Sequence, residues 1–124
     1  MIGQMLLSVL VVDDDPAFLA LAARVLEEAG VERVLTALDA AAATREAEAE
    51  RPDAVLVDIG LPDRDGTELA RQLAALSWRP RVVVTSIDGD AGRTIDAPLD
   101  DGSLVFIPKE ELATETLRQL LGAE

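Results

Sequence analysis

Several residues whose side chains could do chemistry stand directly after short apolar runs of this chain. In chain order they are Asp13, Asp14 and Asp15, then Asp58, Thr85 and, one residue beyond Pro108, Lys109. Carboxylate oxygens are the hard ligands that Mg²⁺ prefers, and a carboxylate can also attack a phosphoryl group as a nucleophile. A hydroxyl and an ammonium group can stabilise the charge on the group being transferred. Together these residue types predict a divalent-metal and phosphoryl-transfer site.

The apolar runs themselves predict the strands that would position this site. Runs of β-branched and aliphatic residues without polar interruption are typical of strands buried on both faces of a sheet. Strands are predicted at Ser8–Val12, Val34–Leu38, Ala54–Val57, Val82–Val84 and Leu104–Ile107, the second being the weakest. Helical apolar spacing predicts helices at Pro16–Ala29, from Asp39 to about Arg51, at Thr67–Leu76 and at Glu111–Leu121.

Strands that alternate with helices in this way predict a parallel sheet with right-handed crossovers and helices on both faces. The fold class is therefore a three-layer α/β sandwich with five parallel strands, formed as one domain over residues 1–124. Ligands of such sheets bind outside the carboxyl ends of the strands. The ends of the first and third strands are expected to meet there, which brings Asp13 and Asp14 close to Asp58.

Composition excludes several other classes of site. The chain has no cysteine and no histidine, which excludes disulfides, thiolate or imidazole metal sites, and a phosphohistidine on this chain. Its formal charge of −13 opposes direct binding to nucleic acid. The longest apolar stretch, Met5–Val12, is too short to span a bilayer, and the N-terminus lacks a secretory leader. We therefore expect no membrane contact and a cytoplasmic location.

With these motifs in register, the chain resembles a response-regulator receiver domain of bacterial two-component signalling. The segments that carry the resemblance are Val9–Pro16 with its aspartates, Asp53–Asp58 with the loop from Leu61-Pro62 to Asp65-Gly66, the run Val82–Ser86, and Phe106–Lys109. The resemblance covers essentially the whole chain. It implies a flavodoxin-like, doubly wound sheet with strand order 2-1-3-4-5.

The resemblance also implies a role for each residue of the site. Asp58 would accept a phosphoryl group from the phosphohistidine of a histidine kinase or phosphotransfer protein. Lys109 would pair with that group, and Thr85 would move toward it and let Phe106 rotate inward, changing the contacts offered to a downstream effector. The metal would be Mg²⁺ or Mn²⁺, and its ligands would be Asp13, Asp14, Asp58 and the backbone carbonyl of Gly60. Such a domain is a signalling switch that catalyses only its own phosphorylation and dephosphorylation.

Two departures from the family pattern concern the later part of the chain. Glu110 stands where the family usually has a proline after the lysine. The segment Asp88–Gly102 holds five aspartates, three glycines and a proline where the family has a regular helix, so at most a short helix around Ala91–Ala97 is predicted. We accordingly expect that this face does not form the family's common symmetric dimer.

Two alternatives remain open at this stage. The order Asp13-Asp14-Asp15 also fits a haloacid-dehalogenase-type phosphatase, with Asp13 as nucleophile and Asp15 as general acid. Asp15 is equally suited to cap the helix that follows it. A receiver-like interaction module that is never phosphorylated is the other alternative.

Overall fold

The structure, a computed structural model, describes residues 8–86 and 104–108 of the 124-residue chain. The strands in these ranges are β1 (Ser8–Val12), β2 (Arg33–Ala37), β3 (Ala54–Asp58), β4 (Arg81–Ser86) and β5 (Leu104–Pro108). The helices are α1 (Pro16–Glu28), α2 (Ala40–Glu50) and α3 (Gly66–Ala74). The predicted alternation of strands and helices is therefore present from β1 to β4.

The strands lie parallel in a single sheet with the order β2-β1-β3-β4-β5. The first four strands confirm the order 2-1-3-4 that was expected, and β5 pairs with β4 in the fifth position. Val12 of β1 stands opposite Val57 of β3 in the register of the two strands. The residues that follow, Asp13 and Asp58, are therefore neighbours at the carboxyl edge of the sheet.

Side chains of the central strands alternate between two hydrophobic cores, one on each face, because successive strand residues point to opposite sides. On one face, strand residues pack against the alanines of α2 and the apolar stripe of α3; these strand residues are Leu10, Val12, Val55, Val57, Val82 and Val84. On the other face, strand residues pack against α1; these are Val9, Val11, Ala54, Leu56 and Val83. β1 and β3 are buried along their whole length, as their unbroken apolar runs predict.

Each of the three helices begins after an aspartate whose carboxylate accepts a backbone hydrogen bond from the first turn. The pairs are Asp15 with the Ala17 amide, Asp39 with the Ala42 amide and Asp65 with the Thr67 amide. Such caps satisfy amides that have no acceptor inside the helix. The interpretation of Asp15 and Asp39 as helix caps is confirmed.

Element ends differ from the predictions by one or two residues, for local reasons. β2 starts at Arg33 because that residue pairs with Ser8, and Leu38, predicted as its last residue, is 49% exposed beyond the strand. α3 begins at Gly66, directly after its cap, and ends at Ala74, since the Leu76 amide bonds to Leu73 in a tighter turn. Gly30 follows α1 with a φ of 107°, a conformation that favours glycine.

Two predicted elements, the short helix at residues 91–97 and the helix Glu111–Leu121, lie outside the described residues. So do Lys109 and Glu110. Within residues 8–86 and 104–108, no helix combines the length and the apolar character needed to cross a membrane.

Candidate functional site at the carboxyl edge of the sheet

Asp13 is the first residue beyond β1, and its side chain is completely buried. Its backbone amide donates to the carbonyl oxygen of Ala37 at 3.0 Å, which continues the β1–β2 hydrogen-bond ladder by one residue. Its Oδ1 atom accepts a hydrogen bond from the backbone amide of Asp15 at 2.9 Å. The strand and this short turn together fix the Asp13 carboxylate at the edge of the sheet.

Asp14 is exposed, whereas Asp58, the last residue of β3, is only 7% exposed. Asp13, Asp14 and Asp58 each offer a carboxylate oxygen, and these three oxygens lie within 4.8 Å of one another. Asp15 is not a member of this group, because its carboxylate caps α1 instead. The structure thus brings together the carboxylates of Asp13, Asp14 and Asp58, whereas the carboxylate of Asp15 is used to cap α1.

Thr85 lies on β4 directly opposite Asp58 in the register of the two strands. Its side chain is buried, and its hydroxyl makes a long, weak contact of 3.5 Å to the carbonyl oxygen of Val57. Its own carbonyl oxygen accepts a hydrogen bond from the Ile59 amide at 3.0 Å. The hydroxyl is therefore held beside the end of β3 without a strong partner among these contacts.

Gly60 is the second residue of the loop from β3 to α3 and lies next to the Asp58 carboxylate. A Cβ atom built on Gly60 would lie 3.8 Å from Oδ2 of Asp58, which is ordinary van der Waals contact. The backbone of Gly60 is thus adjacent to the carboxylate group. Three converging carboxylates repel one another unless a cation lies among them, and carboxylate and carbonyl oxygens are the ligands of a hard divalent cation. These residues therefore fit Mg²⁺ or Mn²⁺.

Gly66 occupies the tightest position of the site. A Cβ atom there would lie 2.2 Å from the carbonyl oxygen of Asp58 and 2.5 Å from Cα of Ile59. The Gly66 amide donates to the carbonyl oxygen of Ile59 at 3.1 Å, so the start of α3 lies directly against the end of β3. Only glycine allows this close approach of two backbone segments.

Two further residues of the predicted site are on β5 or beyond it. Phe106 is on β5, paired with Val84, one residue before the position opposite Thr85. Lys109 follows Pro108, the last residue of β5, and lies outside the described residues.

Asp63, in the loop between Gly60 and α3, makes contacts that sequence reasoning missed. Its two carboxylate oxygens accept hydrogen bonds from the backbone amides of Ala40, at 2.9 Å, and Ala41, at 3.1 Å. These bonds, first of all the one from Ala40, hold the pKa of the Asp63 carboxyl below its ordinary value. The partners are 22 and 23 residues away in the sequence, so no local pattern signals the contact.

The family model described as "Response regulator receiver domain" matches residues 9–121 of the chain. The transcriptional regulatory protein PrrA of Mycobacterium tuberculosis is 47% identical over 112 residues, which is 90% of this chain and 47% of that protein. The protein-glutamate methylesterase/protein-glutamine glutaminase of Vibrio parahaemolyticus is 34% identical over 108 residues, 86% of this chain and 29% of that protein. The chain thus spans less than half the length of these curated relatives.

Solved structures of similar fold agree with this match. The response regulator receiver domain protein (CheY-like) of Methanospirillum hungatei has a TM-score of 0.79 at 25% identity, over 94% of this chain and 91% of that chain. A response regulator protein of Burkholderia pseudomallei has a TM-score of 0.78 at 27% identity, over 93% of this chain and 66% of that chain. That second structure is described as containing a phosphorylated aspartic acid, a calcium ion and citrate.

Proposed function

This chain belongs to the response regulator receiver domain family, the signalling switches of two-component systems, and we propose that it accepts a phosphoryl group on Asp58. The observation that carries the proposal is the place of the Asp58 carboxylate. It is buried at the end of β3, within 4.8 Å of carboxylate oxygens of Asp13 and Asp14, and Thr85 stands opposite it on β4. The phosphorylated aspartic acid in the Burkholderia pseudomallei relative supports the same chemistry.

In the proposed step, a carboxylate oxygen of Asp58 attacks the phosphorus atom of a phosphohistidine on a histidine kinase or phosphotransfer protein. A new P–O bond forms, the P–N bond breaks, and the imidazole nitrogen leaves with the electron pair of that bond. Because these 124 residues contain no histidine, the phosphohistidine comes from outside them.

Asp13, Asp14, Asp58 and the backbone carbonyl of Gly60 would hold Mg²⁺ or Mn²⁺. When bound, the metal neutralises charge on the phosphoryl group during transfer. The hydroxyl of Thr85 donates to a phosphoryl oxygen, a partner better than its 3.5 Å contact with Val57.

The ammonium group of Lys109 would pair with the phosphoryl group once it is on Asp58. Movement of Thr85 toward that group would then allow Phe106 on β5 to rearrange, which changes the surface that an effector meets. The chain acts in this proposal as a switch that turns over only its own phosphoryl group. Relatives named as a transcriptional regulator and as a methylesterase share this segment, so the proposal concerns phosphoryl acceptance and not the output.

The test is incubation of the wild type and of Asp58→Asn with Mg²⁺ and a small acyl-phosphate donor, followed by mass spectrometry of the intact chain. We expect the wild type to gain the mass of one phosphoryl group, and Asp58→Asn to gain none. Asp53→Asn, a substitution at the opposite end of β3, is the matched control and should behave as the wild type. Chelation of Mg²⁺ should abolish the gain.

Two outcomes would favour the alternatives. A folded wild type that never gains mass would support an interaction module that is not phosphorylated. Steady hydrolysis of a phosphomonoester that is lost in Asp13→Asn but kept in Asp58→Asn would support the phosphatase. The capping role of Asp15 argues against the phosphatase, since its carboxylate already accepts the Ala17 amide at 3.0 Å.

A further inference from the structure

The loop that carries Gly60 is anchored to neighbouring elements on both sides of that residue. Before it, the Ile59 amide donates to the carbonyl oxygen of Thr85 at 3.0 Å, which ties the loop to β4. After it, Leu61 is 9% exposed and belongs to the same core cluster as the buried alanines of α2. The path of the backbone through Gly60 is therefore set by contacts outside the loop.

Asp63 adds the anchor that reaches furthest from the loop. Its carboxylate bridges the first two backbone amides of α2, those of Ala40 and Ala41, while Asp39 accepts from Ala42 at 2.8 Å. The first amides of a helix have no acceptors within the helix. The amides of Ala40, Ala41 and Ala42 therefore find their acceptors on two aspartates. Of these two, Asp63 is the one that connects α2 to the loop beside Asp58.

We propose that Asp63 is a positioning residue for the metal site: its bridge to α2 holds the Gly60 carbonyl where a bound Mg²⁺ requires it. This inference rests on the proposed function, in which that carbonyl is a ligand. Only Leu61 and Pro62 separate Asp63 from Gly60, and the proline ring fixes φ at Pro62. The Asp63 bridge thus fixes the far end of a short, stiff segment that begins at the partly anchored Leu61. Loss of the bridge leaves the Gly60 peptide with one anchor fewer on this side.

Mg²⁺ makes this positioning matter because it requires nearly ideal octahedral geometry. Residues that orient the direct ligands of a metal typically change its affinity by roughly 10- to 100-fold when they are substituted. Gly60 lies beside the Asp58 carboxylate, with 3.8 Å between a built Cβ and Oδ2, so a shift of its peptide alters the geometry of the site itself. We place Asp63 at the lower end of that range, because it acts through two intervening residues.

The experiment measures Mg²⁺ binding directly, by titration calorimetry of the unphosphorylated chain. We expect Asp63→Ala to raise the Kd for Mg²⁺ by about tenfold. The matched control is Asp39→Ala, which removes the other carboxylate from the same end of α2 but leaves the loop attached. A second control, Arg64→Ala, changes the neighbouring loop residue, whose side-chain contacts to Gln72 and Glu68 stay within α3 and do not reach α2. Both controls should keep the Kd within twofold of the wild type.

The rate of phosphoryl acceptance distinguishes a misplaced metal ligand from a general loss of structure in the Asp63 variant. With an acyl-phosphate donor, Asp63→Ala should require about tenfold more Mg²⁺ for half-maximal rate, yet reach a rate near that of the wild type at saturating Mg²⁺. If Asp63→Ala does not fold, Asp63→Asn serves instead, because it keeps one acceptor for the two amides; an increase in Kd is expected there too, and smaller.

Three results would overturn the inference. One is an unchanged Kd in the folded Asp63 variant, and another is an equal loss of affinity in Asp39→Ala, which would show that helix stability alone is involved. A wild type that binds no Mg²⁺ would overturn both this inference and the proposed metal site. A wild type that binds Mg²⁺ but never gains a phosphoryl group would overturn the proposed function while the affinity test of Asp63 still stands.

Discussion

The aspartates at the two edges of the sheet have opposite surroundings: other carboxylates at one edge and backbone amides at the other. At the carboxyl edge, Asp13 and Asp58 are buried, and a carboxylate oxygen of each lies within 4.8 Å of the others and of one from Asp14. At the amino edge, Asp53 accepts the Ser8 amide on its carboxylate at 3.1 Å, and its own backbone bridges β1 and β4. A carboxylate whose neighbours are amides stabilises the fold. Three carboxylates close together destabilise it until a cation is bound, even though one of them, Asp13, also accepts the Asp15 amide.

The amino edge has further contacts of the stabilising kind. The indole Nε1 of Trp78 donates to the carbonyl oxygen of Pro52 at 2.9 Å. The guanidinium carbon of Arg51 lies 5.3 Å from the centre of the Trp78 ring, in cation–π contact. Stabilising contacts of polar and charged side chains thus lie at the amino edge, and the proposed chemistry lies at the carboxyl edge. Substitutions of these side chains at the two edges should therefore have separable effects.

The largest effect on stability is expected from Gly66→Ala at the carboxyl edge. The new Cβ would lie 2.2 Å from the carbonyl oxygen of Asp58, so backbone must move. We expect the free energy of unfolding to fall by about 3 kcal/mol, and phosphoryl acceptance to fall with it, as measured by urea unfolding and intact mass. Gln72→Ala, on the exposed side of α3, is the control. A loss below about 1 kcal/mol would show that this close approach relaxes easily.

The next effect is expected from Trp78→Phe at the amino edge, which removes the indole donor and leaves the Pro52 carbonyl oxygen without it. We expect a loss of about 2 kcal/mol, measured by circular dichroism because Trp78 is the chain's one tryptophan. Arg51→Ala, which removes only the cation, should lose about 0.5 to 1 kcal/mol. Both variants should bind Mg²⁺ as the wild type does; a weakened Mg²⁺ site in either one would break the separation of the two edges.

The same division explains which features the sequence could predict. β1 and β3 were predictable because unbroken runs of valine and leucine are typical of buried parallel strands, and their ends placed Asp13 and Asp58 together. The Asp15 cap was predictable because a cap is a local interaction with the next turn. The bonds from Asp63 to α2 and from Trp78 to Pro52 span more than twenty residues, and neither leaves a periodic pattern. Tertiary packing alone creates them.

A direct comparison of the edges replaces one aspartate at each with asparagine. Without Mg²⁺, Asp13→Asn should raise the free energy of unfolding by about 1 kcal/mol, since it removes one of three clustered charges while its amide oxygen can still accept the Asp15 amide. Asp53→Asn should lower it by about 0.5 to 1 kcal/mol, since its amide contact loses the charge that strengthens it. Both values come from urea unfolding in the presence of a chelator.

Addition of Mg²⁺ should then reverse the order of stability between the wild type and Asp13→Asn, but not that between the wild type and Asp53→Asn. A ligand that binds the folded state stabilises it, so saturating Mg²⁺ should make the wild type more stable than Asp13→Asn. The gap between the wild type and Asp53→Asn should stay unchanged. If Asp13→Asn is less stable than the wild type even without Mg²⁺, the cluster is not a source of repulsion and the contrast between the edges fails.

The smallest effect concerns Asp63, a carboxylate near the carboxyl edge that nevertheless faces amides. Its pKa is lowered in the folded state by the Ala40 and Ala41 amides, so its contribution to stability is present above its unfolded pKa and is lost as the pH falls through the folded value. We expect the wild type to lose stability on acidification below about pH 4 more steeply than Asp63→Asn, as measured by thermal unfolding from pH 6 downward. Arg64→Ala is the control and should follow the wild-type slope. Parallel slopes for the wild type and Asp63→Asn would show that amide contacts do not give Asp63 the stabilising character of Asp53. The effect of a carboxylate on stability would then depend on the edge of the sheet at which it lies and not on the groups that it contacts.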